Sequence, residues 1–178
     1  MCKLPSVVAY SLRRGHSTYA ILSGIFSART GAHYLMDVIK GEALPLNKFL
    51  QEYDFTIPSY QRPYSWTQNE TSELFDDLYT FWSSNPVDNE QYFLGSIVLD
   101  TSDGGKLAKV IDGQQRLTTL TILFSVIASE LQADTQDRKV AIDFLIAPAQ
   151  CFEVRHARLS IRPKDNNFFQ EVYPDSKY

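Results

Sequence analysis

The stretch VIDGQQRLTTL, from Val110 to Leu120, sets an acid, a glycine, two amides and an arginine between two apolar segments. Those groups suit an anion. If the stretch turns a strand into a helix, Gly113 permits the tight transition. The first turn from Gln114 then leaves backbone amides without intrahelical acceptors at the positive end of the helix dipole. Arg116 is able to give two parallel hydrogen bonds to phosphate oxygens, while Gln114 and Gln115 can donate amide protons or orient water. Asp112 cannot neutralise phosphate; it could cap the helix, position Arg116, hold a magnesium ion or align a water molecule. The same residues also serve as a purely structural turn, and their spacing is not that of the glycine-rich lysine motif of a P-loop. Spacing alone therefore does not establish nucleotide hydrolysis.

The elements that must position these groups are readable on either side. QYFLGSIVLD and LAKVID have strand composition, and the TSDGGK between them is a turn signal, so a hairpin delivers Asp112 and Gly113 to the end of its second strand. QQRLTTLTILFSVIASEL has the length and apolar density of a largely buried helix packed through Leu117, Leu120, Leu123, Phe124 and Ile127. Its threonines are poor helix formers, so burial must supply what β-branching removes. Upstream, Pro58 and Pro63 rule out a continuous helix through IPSYQRPYSW, which reads as an extended, turned loop rich in large side chains. A helix is expected from about Asn69 to Trp82, with Leu74, Phe75, Leu78, Phe81 and Trp82 as its apolar stripe and Asp76 and Asp77 toward water.

Composition bounds the rest. The chain has 178 residues, 44% of them hydrophobic and 21% charged, which suits one soluble globular domain. A net charge of -4 gives no overall footprint for duplex DNA. Cys2 and Cys151 with three histidines make neither a disulfide framework nor a metal set, and a reducing cytoplasm is the simpler compartment. The first residues distantly imitate a signal peptide, but Arg13, Arg14 and His16 interrupt the pattern, and no run reaches the roughly 20 apolar residues a bilayer needs. No membrane partner is expected. A loosely packed extension, a partner-binding arm or a small helix fits this region, and YLMDVIKG is spaced as a short amphipathic helix that Gly41 could end.

Toward the other end, ADTQDRK reads as a polar connector, VAIDFLI as a short buried element and CFEVRHARLSIRP as a strand or pair of strands. Arg155, Arg158 and Arg162 make a modest basic stripe. If they share a face they could touch DNA phosphates; a solvated strand face is the alternative. Lys164, Asp165 and Asn166 suit a turn before Phe168 and Phe169 return to the core.

In this order, FTIPSYQRPYSW, DDLYTFW, YFLGSIVL and VIDGQQRLTTL resemble the amino-terminal DGQQR domain of the GmrSD-like, modification-dependent restriction endonucleases. ARLSIRPKDNNFFQEV is similar to that family's segment after the motif helix. The likeness runs from about residue 34 to 172, so the chain divides into an unmatched extension, 1–33, and a domain, 34–178. It implies an α+β fold of the ParB/sulfiredoxin-like type, with a small mixed sheet, packed helices and DGQQR at a strand-to-helix turn. It also implies binding of a nucleoside triphosphate with Mg2+, its hydrolysis, and service in defence against phage DNA carrying modified bases. By position, Asp112, Gln114, Gln115 and Arg116 become the catalytic candidates, with Asp112 also the metal ligand. Gly113, Gln114 and Arg116 become nucleotide contacts, joined by Tyr60, Gln61 and Arg62 from a second loop expected to close over the same pocket. Arg62 suits a phosphate or nucleic-acid contact or a structural ion pair; Tyr60, Tyr64 and Trp66 offer rings for a base or for packing.

Full members of that family usually add a carboxy-terminal helical and HNH-type nuclease region. His16, His33 and His156 do not compose an HNH centre here. A truncated piece, a fragment of a longer gene and a regulatory subunit working with a separate HNH-containing nuclease all remain open, as does self-association. DNA cleavage by the chain alone is not expected, and a non-hydrolysing DNA-sensing or partner-binding scaffold is the alternative function.

Overall fold

A computed structural model describes residues 6–14, 37–86, 92–103, 106–147, 156–162 and 164–165. Strands β1 (Ser6–Arg14) and β2 (Asp37–Pro45) lead into helix α1 (Leu46–Glu52) and strand β3 (Asp54–Thr56). Helix α2 (Gln68–Ser83), strands β4 (Phe93–Asp100) and β5 (Leu107–Asp112) and helix α3 (Gln114–Glu130) follow. Helix α4 (Gln136–Leu145) and the short strands β6 (Ile146–Ala147), β7 (His156–Ala157) and β8 (Leu159–Ser160) close the order. The architecture is α+β: a mixed sheet in the order β2-β1-β4-β5-β3-β8, with β6 and β7 paired separately.

The sheet's directions decide where the loops meet. β3 runs parallel to both β5 and β8, so the segments leaving all three emerge at one edge. β4 is antiparallel to β5, with Val98 opposite Asp112, so β4 begins at that same edge. The loop after β3, the turn into α3, the start of β4 and the residues after β8 are thereby brought together.

Burial follows sequence pattern. α1 buries Leu46, Phe49 and Leu50 at the spacing of one helical face, and the Phe49 and Phe55 rings lie 5.0 Å apart. Leu94, Ile97 and Leu99 of β4 are buried, and the jump from 94 to 97 breaks strict alternation. Gly95, with φ of 100°, absorbs the extra residue there, and the register of β1 on β4 shifts at the same place. α3 carries Leu117 and Leu120 into the core, with Leu123 and Phe124 half-buried and Ile127 exposed. Its hydroxyls turn back on the helix: Thr119 donates to the Gln115 carbonyl, Thr121 to that of Leu117 and Ser125 to that of Thr121. That is how a threonine-rich helix is buried without orphaned hydroxyls.

Several expectations change. YLMDVIKG is not helical in its described part: Asp37–Pro45 pairs residue by residue with Ser6–Arg14, and Gly41 lies mid-strand opposite Tyr10. Eight residues make a marginal helix, whereas a nine-residue ladder satisfies both backbones and suits the β-branched Val38 and Ile39. The stretch expected as an extension ahead of residue 34 thus supplies a strand of the sheet. ADTQDRK is a connector only to Thr135, whose hydroxyl accepts from the Arg138 amide and starts α4. The stripe expected on α2 splits, with Leu74 buried, Leu78 and Phe81 half-buried, and Phe75 and Trp82 exposed beside Tyr79. Phe168 and Phe169 lie outside the described residues.

Candidate functional site

The DGQQR residues lie where the sequence puts them, at the end of β5 and the first turn of α3. Gly113 is the N-cap with φ of 85°. A Cβ there would come within 2.9 Å of the Ile97 side chain and 3.0 Å of the Ser96 carbonyl, so only glycine lets helix and strand approach this closely. No side chain caps α3, so its first amides retain their hydrogen-bonding capacity.

Arg116 folds back across β4. Its Nη1 donates to the Ser96 carbonyl at 3.2 Å, and its guanidinium lies flat against Gly95, where a Cβ would meet the Cζ and Nη1 at 2.7 Å. It forms no ion pair among the described residues. Gly95 and Ser96 are therefore part of the site, although their role was not anticipated. A glycine inside the strand-like run YFLGSIVL was the available signal, since such a glycine marks a bulge or a close approach.

The two glutamines do something the motif did not suggest: they clasp the loop after β3. The Gln115 Oε1 accepts from the amides of Ser65 at 2.8 Å and Trp66 at 3.4 Å, while its Nε2 donates to the Pro63 carbonyl at 3.0 Å. Gln114 donates to the Arg62 carbonyl at 3.2 Å, and its Oε1 is buried with no hydrogen-bond donor among the described residues. From the loop side, Gln61 donates to the Ile111 carbonyl at 2.9 Å and Tyr64 shares a hydrogen bond with Thr119. The loop lies across the turn, held by interlocking backbone and side-chain groups. Tyr60 stays largely exposed at its tip, and Arg62 is exposed beside the turn.

Two cavities meet at this clasp. A polar one of about 560 Å3 is lined by Gln61, Arg62, Ser96, Asp112, Gly113 and Arg116, with Trp66 at its side. A second, of about 310 Å3, lies between Ile57, Pro63, Tyr64, Ile122 and Ile161, with Thr118, Arg162, Lys164 and Asp165 also in its wall. Arg62, Gln114 and Gln115 belong to both walls. Asp112 is exposed and, among the described residues, is the sole carboxylate lining the polar cavity. No group of three histidine, cysteine, aspartate or glutamate residues is placed to hold a metal among the described residues. Beyond the lining, Tyr92 donates to the Asp77 carboxylate at 2.9 Å. Burial, then that bond, raises its hydroxyl pKa above the ordinary value.

Residues 46–178 match the family model described as the GmrSD restriction endonuclease, N-terminal domain. The chain belongs to this family. Every residue of the two cavities falls inside the match, whereas the antiparallel strands β1 and β2 precede it. No curated protein matches the chain. Membership places the chain in a restriction system, and no helix among the described residues is long and apolar enough to cross a membrane.

The expected basic stripe does not form from the arginines that can be placed. Arg155 lies outside the described residues. Arg158 is 6% exposed, donates to the Asp143 carbonyl at 2.8 Å and lies 3.8 Å from an Asp54 carboxylate oxygen. Burial lowers its pKa below the usual arginine value, against the opposing pull of Asp54. Arg162 pairs with Asp165 and donates to the Gln61 carbonyl at 3.0 Å, which makes it another tie on the loop.

Proposed function

We propose that this GmrSD N-terminal domain binds a nucleoside triphosphate with its phosphates in the polar cavity and hydrolyses it. Hydrolysis would couple to the action of an HNH-type nuclease domain or subunit on modified DNA. The observation that carries the reading is Arg116: a half-buried guanidinium held beside uncapped helix amides and in ion-pair contact with no carboxylate among the described residues. An anion supplies what that arrangement lacks. Arg62, exposed across the cavity, adds a second cation from the clasped loop.

The residues fit magnesium in the way nucleotide sites commonly hold it, with one or two carboxylates and the phosphates completing the coordination. Asp112 would be the protein ligand; the ion, when bound, supplies charge neutralisation at the phosphates. Asp112 is also placed to orient water, whereas Gln115 has both ends of its amide engaged by the loop. Arg116 and the first amides of α3 face the charge that develops on the transferred phosphoryl group.

Calorimetric titration with ATP, GTP, CTP and UTP, each with magnesium, tests binding. Arg116→Ala is expected to weaken it roughly ten- to a hundredfold, the worth of a hydrogen bond to a charged group, and Asp112→Asn to suppress phosphate release. If both variants fold, bind and turn over like the parent, the site is wrong.

A second reading, a non-hydrolysing partner-binding scaffold, is favoured by one feature. Phe75, Tyr79 and Trp82 form an exposed aromatic row along α2, Phe75 stacked on Tyr79 at 6.3 Å. Phosphate release over many turnovers, with and without modified DNA, separates the two readings.

A further inference from the structure

The second cavity is built for a different part of a ligand than the first. Its walls carry Ile57, Pro63, Tyr64, Ile122 and Ile161 beside Thr118, Lys164 and the Arg162–Asp165 pair, and its volume of about 310 Å3 lies in the range of small-molecule sites. It adjoins the polar cavity through the shared wall of Arg62, Gln114 and Gln115. Within that wall, Gln114 is 7% exposed, and its Oε1 is a buried acceptor that no group among the described residues satisfies. Such an orphan is uncommon in a folded interior and costs stability unless a donor reaches it. A ligand that joins a polyanion to a flat, largely apolar ring edged with N–H donors matches both cavities at once. A simple phosphate matches only the first.

We propose that the apolar cavity is the nucleobase subsite, with Tyr64 as the stacking ring and Gln114 as the acceptor for an N–H on the base. The inference rests on the assignment of phosphates to the polar cavity. The nucleotide then crosses the clasp at Arg62, so the loop that carries Tyr60 to Trp66 contacts both of its ends. This gives the glutamines their place in the architecture. By fixing the loop backbone they set the width of the base slot, and Gln115 is a positioning residue with both ends of its amide engaged.

The test compares inorganic triphosphate with the four nucleoside triphosphates, each with magnesium, on the parent and on Ile122→Trp, Tyr64→Ala and Tyr64→Phe. Ile122→Trp projects bulk into the apolar cavity; Tyr64→Ala removes the ring, and Tyr64→Phe removes only the hydroxyl that meets Thr119. Thermal unfolding checks that each variant is folded. The expected result is that Ile122→Trp and Tyr64→Ala lower nucleotide affinity about tenfold or more, the worth of a stacked base, toward the affinity of triphosphate. Triphosphate affinity is unchanged, and Tyr64→Phe, which keeps the ring, loses less nucleotide affinity than Tyr64→Ala. The base subsite is overturned if the parent binds nucleotides no tighter than triphosphate, or if folded Ile122→Trp and Tyr64→Ala bind nucleotides as the parent does. Either outcome leaves the phosphate assignment standing. A folded parent that binds neither ligand removes the phosphate site and the base subsite together.

Discussion

Arg116 and Arg158 are the same side chain at opposite extremes of commitment. Arg158 is buried, donates to the Asp143 carbonyl, and has Asp54 as its counter-ion. Its backbone is engaged as well, the carbonyl accepting from the Phe55 amide and the amide donating to Leu145, so it ties β3 to the end of α4. Arg116 is half-buried, gives one hydrogen bond to a neutral carbonyl, and meets no carboxylate among the described residues. A buried cation with its partners in place is part of the framework. A cation held in place without a counter-ion is an offer to a ligand. A list of arginines cannot separate the two, because the partners come from elements distant in sequence.

The largest effect expected from this contrast is on folding. Arg158→Ala removes the ion pair with Asp54 and the donor to the Asp143 carbonyl from a buried position, and should cost about 2–4 kcal/mol, lowering the unfolding midpoint by roughly 5–15 °C. Phosphate affinity should hold in whatever fraction is folded. Thermal and denaturant unfolding measure this; a variant as stable as the parent but poorer in anion binding would reverse the roles assigned to the two arginines. Next in size is Gly95→Ala. The new methyl enters the space of the Arg116 guanidinium at 2.7 Å and forces alanine to a φ of 100°. The backbone strain should cost about 1–3 kcal/mol, and displacement of the guanidinium should reduce phosphate affinity about tenfold, half to all of a charged hydrogen bond. In an Arg116→Ala background the same substitution should cost only the strain. Additive losses in binding across the two changes would show that Gly95 does not act through Arg116.

The local parts of this molecule were legible and the distant ones were not. β5, the left-handed Gly113 and α3 follow from VIDGQQRL because strand, turn and helix signals lie within one short run. α2 begins at its Thr67 capping box, within a residue of the expected start. The pairing of β2 with β1 was hidden, since the decisive ladder joins Asp37–Pro45 to residues more than twenty positions earlier, and YLMDVIKG by itself carries a helical spacing. For the site, the motif pointed to the right turn and the loop to the right neighbour. The roles inside it were less visible. That Gln115 holds Ser65, Trp66 and Pro63 is a contact across about fifty residues, and nothing in the spacing of DGQQR announces it.

The smallest effect comes from a residue that separates commitment from burial. Glu70 is as fully engaged as Arg158: its Oε2 accepts from the Thr67 amide at 2.7 Å and from the Thr67 hydroxyl, closing the box at the start of α2. Yet it is fully exposed. The hydroxyl bond first, then the backbone amides of Glu70 and Thr67, hold its carboxyl below the ordinary value of 4.5. With the folded pKa depressed, the stabilisation is complete above the unfolded pKa and disappears as pH falls through the folded one. Stability of α2 should therefore decline only below about pH 4.5, and Glu70→Gln, which keeps the shape but cannot ionise, should flatten that part of the profile. Amide exchange of Asn69 and Thr71 between pH 3 and 6 reads this directly. Water competes for every bond Glu70 makes, so its loss should fall well short of that at Arg158. If Glu70→Gln destabilises the protein as much as Arg158→Ala, engagement alone sets the worth of a charged group, and the burial of Arg158 is not what distinguishes it from Arg116.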